Sequence, residues 1–238
     1  MRPCRCDHAR REGAPVNGRT TGPGRADVAE LRVSYGRTPL LEADLAPDWH
    51  TQFTRWFDDA VASLTFPEPN AMVVATCTAD GIPSARTVLL KAHDENGLVF
   101  FTNYSSRKGL ELAANPRVSC VFGWYAMERQ VVVCGRTERV DRTTSERYFH
   151  SRPHGSQIAA SISEQSTVIP DRGWLDRRRD ELARQYPDDT QVPLPDFWGG
   201  IRVLPDTVEF WAGRENRMHD RLRYRRTGAG FVLERLSP

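Results

Sequence analysis

The sequence predicts a mainly β protein: an antiparallel barrel or sandwich with flanking helices. Short apolar and β-branched runs follow one another, with tight turns at Ala79-Asp80-Gly81 and Asp94–Gly97. No GxGxxG follows a strand, so a Rossmann dinucleotide site is not expected. A chain of 238 residues with no internal repeat and no second core pattern reads as one domain with a substantial core.

Residues 1–26 are rich in Arg, Gly and Pro and poor in large apolar residues. They are expected to be disordered, leaving 27–238 as the domain. Residues 1–25 hold six Arg against Asp7 and Glu12, a local charge of +4, so the rest carries −2 of a net +2. A near-neutral body argues against nucleic-acid binding. There is no run of membrane-spanning length and no signal-peptide core, so a cytoplasmic location without a membrane partner is expected. The five cysteines Cys4, Cys6, Cys77, Cys120 and Cys134 lack framework spacing and read as free thiols. Cys4, Cys6 and His8 have no second ligand pair downstream, so no metal is expected.

The elements follow in order. Ala26–Tyr35 forms a short helix with Arg32 and Tyr35 on one face. Asp48 caps a helix whose stripe is Phe53, Trp56, Phe57, Ala60, Val61 and Leu64, and Pro67–Pro69 breaks it. Ala71–Thr78 is a strand, and its hairpin leads into a second strand over 86–91. Leu98–Thr102 is a third. Ser105 or Ser106 caps a helix that runs to Asn115 and stops at Pro116. Arg117–Trp124 and Glu128–Val140 are further strands. Thr143 and Glu146 form a capping box for a helix carrying Tyr148 and Arg152 at i and i+4. Pro153 forces an exit, and Ser156 caps a helix over Gln157–Ser163. Asp171–Tyr186 is a charged helix that buries Trp174, Leu175, Leu182 and Tyr186. Ile201–Val203 and Thr207–Trp211 are separate strands around a break. Leu222–Arg226 and Phe231–Arg235 close the chain as a hairpin.

Two places read as anion cradles. Arg107 and Lys108 open a helix whose dipole disfavours cations, unless an anion sits between them and the free N–H groups. Tyr148, Arg152 and Ser156 converge at a second helix start. Of 33 basic residues only Lys91 and Lys108 are lysine, which marks both as places for a compact ammonium. Arg86 and Lys91 are an odd number apart. A regular strand points them to opposite faces; a bulge brings them together.

RTVLLK at 86–91, FFTNYSSRK at 100–108, ERQV at 128–131 and YFHSRPHGSQ at 148–157 occur in that order. EQS at 164–166, PLPDFWGG at 193–200, VEFW at 208–211 and RENRMHDR at 214–221 follow. Together, over 27–238, the chain resembles the pyridoxamine 5′-phosphate oxidase family. The resemblance implies an FMN-binding split β-barrel with flanking helices, acting as a homodimer with FMN at the interface. It implies oxidation of pyridoxamine 5′-phosphate or pyridoxine 5′-phosphate by O2 to pyridoxal 5′-phosphate. By motif, Arg86, Thr87, Val88, Leu89, Phe101, Thr102, Arg107, Lys108, Gln130, Gln165, Ser166, Trp211 and Arg221 match flavin contacts. Lys91, Tyr148, Arg152 and Ser156 match the clamp on the substrate phosphate. Arg217 and His219 match the catalytic pair over the substrate ring, and Arg32 and Tyr35 match a lid on the same pocket. Phe101 replaces a frequent tyrosine, and Gly123 a frequent proline. The rival readings are a non-catalytic carrier of flavin or pyridoxal phosphate, and a split-barrel oxidoreductase using another flavin or a deazaflavin.

Overall fold

The computed structural model describes residues 35–36 and 39–238. The tail 1–26, Arg32 and all of the short N-terminal helix except Tyr35 lie outside the described residues. Among the described residues no helix is long and apolar enough to cross a membrane.

Helix α1 (Trp49–Ala62) starts where expected. The Asp48 carboxylate accepts the Thr51 N–H at 2.8 Å, satisfying a donor that the helix itself leaves open. Trp49, Phe53, Trp56 and Ala60 are buried. Val61, inside the helix, and Leu64, beyond its end at φ +53, are both exposed, contrary to the expected stripe.

The strands are β1 (Ala71–Cys77), β2 (Pro83–Leu89), β3 (Ala92–Asp94), β4 (Gly97–Asn103), β5 (Arg117–Trp124) and β6 (Arg129–Arg139). Beyond them come β7 (Trp198–Ala212), β8 (Asp220–Thr227) and β9 (Gly230–Arg235). All pair antiparallel in the order β2-β1-β5-β6-β7-β4-β3, with β8 on β7 and β9 on β8. Strand β7 is one element of 15 residues, not the two expected around Pro205. Its first half pairs with β4, its second half with β8, and β6 follows it along its length with a register shift between Cys134 and Gly135. The shift absorbs Pro205, which cannot donate to a ladder. The result is an antiparallel split barrel with five flanking helices.

Helices α2 (Arg107–Ala114), α3 (Arg142–Ser151), α4 (His154–Ile162) and α5 (Arg172–Gln185) complete the chain. Two caps differ from expectation. Asp141, not Thr143, caps α3, accepting from the Thr144 N–H at 2.8 Å. Pro153 occupies the α4 cap position, so Ser156 sits in the first turn instead of capping it. On α5 no side chain is fully buried; Trp174, Leu175, Leu182 and Tyr186 are half-buried.

Strand β4 separates two apolar clusters. Leu98 and Phe100 face the barrel with Phe53, Phe122, Val131 and Phe210. Phe101 faces the other way, to Phe149, Ile158, Val192, Leu194 and Trp198 between the helices. The period of two along β4 therefore fixes the barrel wall and the helical wall of the site together.

Candidate functional site

The first cradle is built at the start of α2. Ser106 caps the helix, its Oγ accepting the Gly109 N–H at 3.3 Å. Gly109 is required here: a Cβ would meet the Tyr104 carbonyl oxygen at 2.2 Å. This close approach seats the first turn on the chain before it. Lys108 is buried, at 8% exposure. Its ammonium donates to Thr102 Oγ1 at 3.0 Å, to Ser106 Oγ at 3.3 Å and to Gln165 Oε1. None of these acceptors is charged. Burial, and then the nearby Arg86, lower its pKa from 10.5 to about 8. Arg86 reaches the same place from β2, donating to Thr76 Oγ1 at 2.5 Å and to the Val74 carbonyl at 3.2 Å.

The second cradle is built at the end of α3. Tyr148 stacks on Phe101, with ring centroids 3.9 Å apart, and lies parallel to Trp198. The Arg152 guanidinium lies over the Trp198 ring, 5.0 Å from its centroid. Arg152 Nη1 is buried without a hydrogen-bond partner, and burial lowers the pKa of the group. A buried donor of this kind is costly unless a ligand supplies an acceptor.

Both cradles open into one cavity of about 820 Å³. Arg86, Thr87, Val88, Leu89, Lys91, Phe101, Thr102, Arg107, Lys108, Tyr148, Arg152, Gln165 and Ser166 all line it. Ser156 does not. Arg86 and Lys91 share the cavity because β2 ends at Leu89, and the chain breaks its period before β3. Sequence reasoning missed Trp198, which stacks with the clamp, and Glu111, which holds Arg86 and Arg107. The WGG run marks the first. The i, i+4 spacing of Arg107 and Glu111 hints at the second.

The remaining expected residues among those described form a separate group that does not line the cavity. Gln130 and Trp211 are register partners on β6 and β7, and Trp211 pairs with Arg221 on β8. Glu209 holds Arg221 by two bonds, at 2.7 and 3.0 Å, which raises the arginine's pKa. The His219 ring is 4.6 Å from Trp211 and 5.8 Å from Tyr35. Its Nδ1 accepts the Arg214 N–H at 3.1 Å, so in the neutral ring Nε2 carries the proton. Arg217 is exposed at φ +62 and makes no hydrogen bond or ion pair among the described residues. Gly123, cross-strand from Gln130, lets the Tyr125 ring fold back where a Cβ would stand 2.6 Å from it.

Known proteins match this chain along nearly all of it. Residues 57–185 match the family model described as pyridoxamine 5′-phosphate oxidase. Residues 198–238 match the pyridoxine 5′-phosphate oxidase C-terminal dimerisation region. The chain is 55% identical to a pyridoxine/pyridoxamine 5′-phosphate oxidase of Frankia alni, over 94% of this chain and 93% of that protein. It is 53% identical to its counterpart in Salinispora arenicola, over 94% and 99%. Among solved structures, PhzG from Burkholderia lata, in complex with tetrahydrophenazine-1-carboxylic acid, superposes with a TM-score of 0.80. That match is 29% identical and covers 87% of this chain and 100% of PhzG. With motifs, fold, family models and relatives in agreement over the same residues, the chain belongs to the pyridoxamine 5′-phosphate oxidase family of oxidoreductases.

Proposed function

We propose that the protein oxidises pyridoxine or pyridoxamine 5′-phosphate at C4′ to pyridoxal 5′-phosphate, with FMN as cofactor and O2 as final oxidant. Pyridoxine phosphate and O2 give the aldehyde and H2O2; the amine also consumes water and releases ammonia. The observation that carries this reading is one cavity with two cationic cradles, for a reaction that holds two phosphates. The residues of the first cradle fit FMN. Lys108 is a buried cation with only neutral acceptors, at a helix N-terminus, and suits a phosphate dianion. When bound, FMN supplies the acceptor for the hydride that leaves the substrate.

The chain's own groups then bind and orient. Arg152, Tyr148 and Lys91 hold the substrate phosphate, and the orphaned Nη1 of Arg152 gains its acceptor. Ser156, in the first turn of α4, joins them. Arg217 and His219 cover the substrate ring, with His219 Nε2–H as a donor, and Tyr35 and Arg32 belong to the lid. Gln130, Trp211 and Arg221 complete the flavin site. These last groups are absent from the cavity wall of their own chain, so they reach it from the second subunit of a homodimer. The match of 198–238 to a dimerisation region supports this arrangement. The general contribution is positioning, since no single general base stands in the cavity among the described residues.

The likeness to PhzG supports a second reading, oxidation of an unphosphorylated carboxylic acid. Oxygen uptake separates the two. Turnover with pyridoxine phosphate and none with tetrahydrophenazine-1-carboxylic acid supports the first reading; the reverse defeats it and supports the second. No oxygen uptake with either, by a protein that still binds flavin, makes it a carrier.

The shifted Lys108 gives a pH signature. A phosphate dianion favours cationic Lys108, so binding raises its pKa back from about 8. The phosphate is fully ionised above its second pKa of about 6. FMN affinity is therefore expected to be flat between about 6 and 8. Above 8 it falls by up to about tenfold per pH unit, as binding must take up a proton. Titration of apoprotein by flavin fluorescence quenching measures this. Lys108→Arg stays charged and should flatten the profile; an unchanged fall would assign the titration to another group.

A further inference from the structure

Glu111 is an acid beside a site for an anion. It lies one turn after Arg107 on α2, and its side chain is 4% exposed. Oε1 accepts from Arg107 Nε at 2.8 Å. Oε2 accepts from Ser84 Oγ at 2.5 Å and from Thr76 Oγ1, and lies 3.4 Å from Arg86 Nη2. Thr76 and Ser84 are register partners on β1 and β2, and both bond Arg86 as well. One carboxylate thus ties a strand pair to the helix and meets both arginines of the first cradle. Burial raises its pKa, but the bonds from Ser84, Thr76 and Arg107 outweigh this and hold it at about 2. It is ionised at every working pH.

A fixed negative charge here opposes the phosphate directly, so a purely electrostatic site would omit it. Two features of the cradle require it. Three cations, Arg86, Arg107 and Lys108, exceed the charge of a phosphate dianion by one, and Lys108 and Arg86 lie largely out of the water that would screen the excess. Arginine side chains are also long and mobile, and their forks bind well only when held in one orientation. The i, i+4 spacing with Arg107 alone would make Glu111 an ordinary surface partner; the link to β1 and β2 is what gives it a role.

We infer that Glu111 is a positioning residue that fixes the Arg86 and Arg107 guanidinium groups for the flavin phosphate and so sets the preference for FMN over riboflavin. This rests on the FMN reading above. Glu111→Gln keeps the shape but offers one acceptor oxygen and turns N–H donors toward groups that are themselves donors.

The test titrates flavin-free wild-type, Glu111→Gln and Thr76→Val proteins with FMN and with riboflavin, followed by fluorescence quenching. Wild type should bind FMN far more tightly than riboflavin. Glu111→Gln should weaken FMN by about tenfold or more while riboflavin changes by less than about twofold. Thr76→Val removes one of the two hydroxyls that bridge Arg86 and Glu111, and should move FMN the same way by a smaller factor. Equal loss of both flavins would make Glu111 merely structural and overturn the proposal. So would tighter FMN binding by Glu111→Gln, which would mean that the carboxylate only repels. If Glu111→Gln does not fold, an unchanged FMN-to-riboflavin ratio in Thr76→Val overturns it alone. If wild type itself shows no preference for FMN, the cofactor reading fails first, and visibly apart from the role of Glu111.

Discussion

Protein with Arg107 and Lys108 both replaced by alanine is expected to purify largely colourless. Lys108 carries most of this effect. It is buried, and its neighbours are hydroxyls and an amide that cannot replace a charge. A charge-assisted bond of this kind contributes about 1.5–3 kcal/mol. Arg107 is 57% exposed and is discounted for solvent screening. The two together should weaken FMN by about a hundredfold, enough to strip it during dilution and chromatography. The ratio of visible to protein absorbance reads the outcome. Full flavin content in the double variant would mean that the phosphate lies elsewhere.

The second large effect separates clamp from ring. Arg152→Ala should raise KM with kcat nearly unchanged, because the phosphate it holds does not react and is bound alike in ground and transition states. It also removes the buried unpaired Nη1, so the variant should fold at least as well as wild type. Arg217→Ala should instead lower kcat by about tenfold or more, equivalent to about 1.4 kcal/mol of transition-state stabilisation. Arg217 holds a left-handed backbone conformation, at φ +62, which non-glycine residues adopt uncommonly. Steady-state kinetics with pyridoxine phosphate, on variants checked for equal flavin content, decide the matter. If Arg217→Ala changes only KM while Arg152→Ala changes only kcat, the roles are reversed.

The sequence carried the local chemistry of the site well and its long-range geometry poorly. Ser106, Arg107 and Lys108 are adjacent, and helix capping is a matter of three residues, so the first cradle was legible. Tyr148 and Arg152 are one helical turn apart, and the same reasoning found them. The cap of α3 was misplaced by two residues, Thr143 for Asp141, because either side chain can satisfy the same kind of donor. Glu111 was missed because its partners Thr76 and Ser84 are far away in the chain. Two strands were expected where β7 is one, because it continues past Pro205 only through the shift that skips Asp206 in its register with Cys134 and Gly135 of distant β6. That Arg86 and Lys91 share a cavity depends on where β2 stops, which the apolar run over 86–91 conceals. The motif order nominated Gln130, Trp211, Arg217, His219 and Arg221, but nothing in one sequence says which chain's cavity they would serve.

The proposed function requires each active site to take its cradles from one subunit and its ring-covering residues from the other. Co-expression of two differently tagged chains tests it. One chain carries Arg107→Ala with Lys108→Ala, the other Arg217→Ala with His219→Ala. Each homodimer should be nearly inactive. In the heterodimer one site collects both lesions, and the other collects none. The dually purified heterodimer should therefore recover about half the wild-type turnover with pyridoxine phosphate. Turnover no greater than that of the two homodimers would place both groups in a single chain's site and contradict the account.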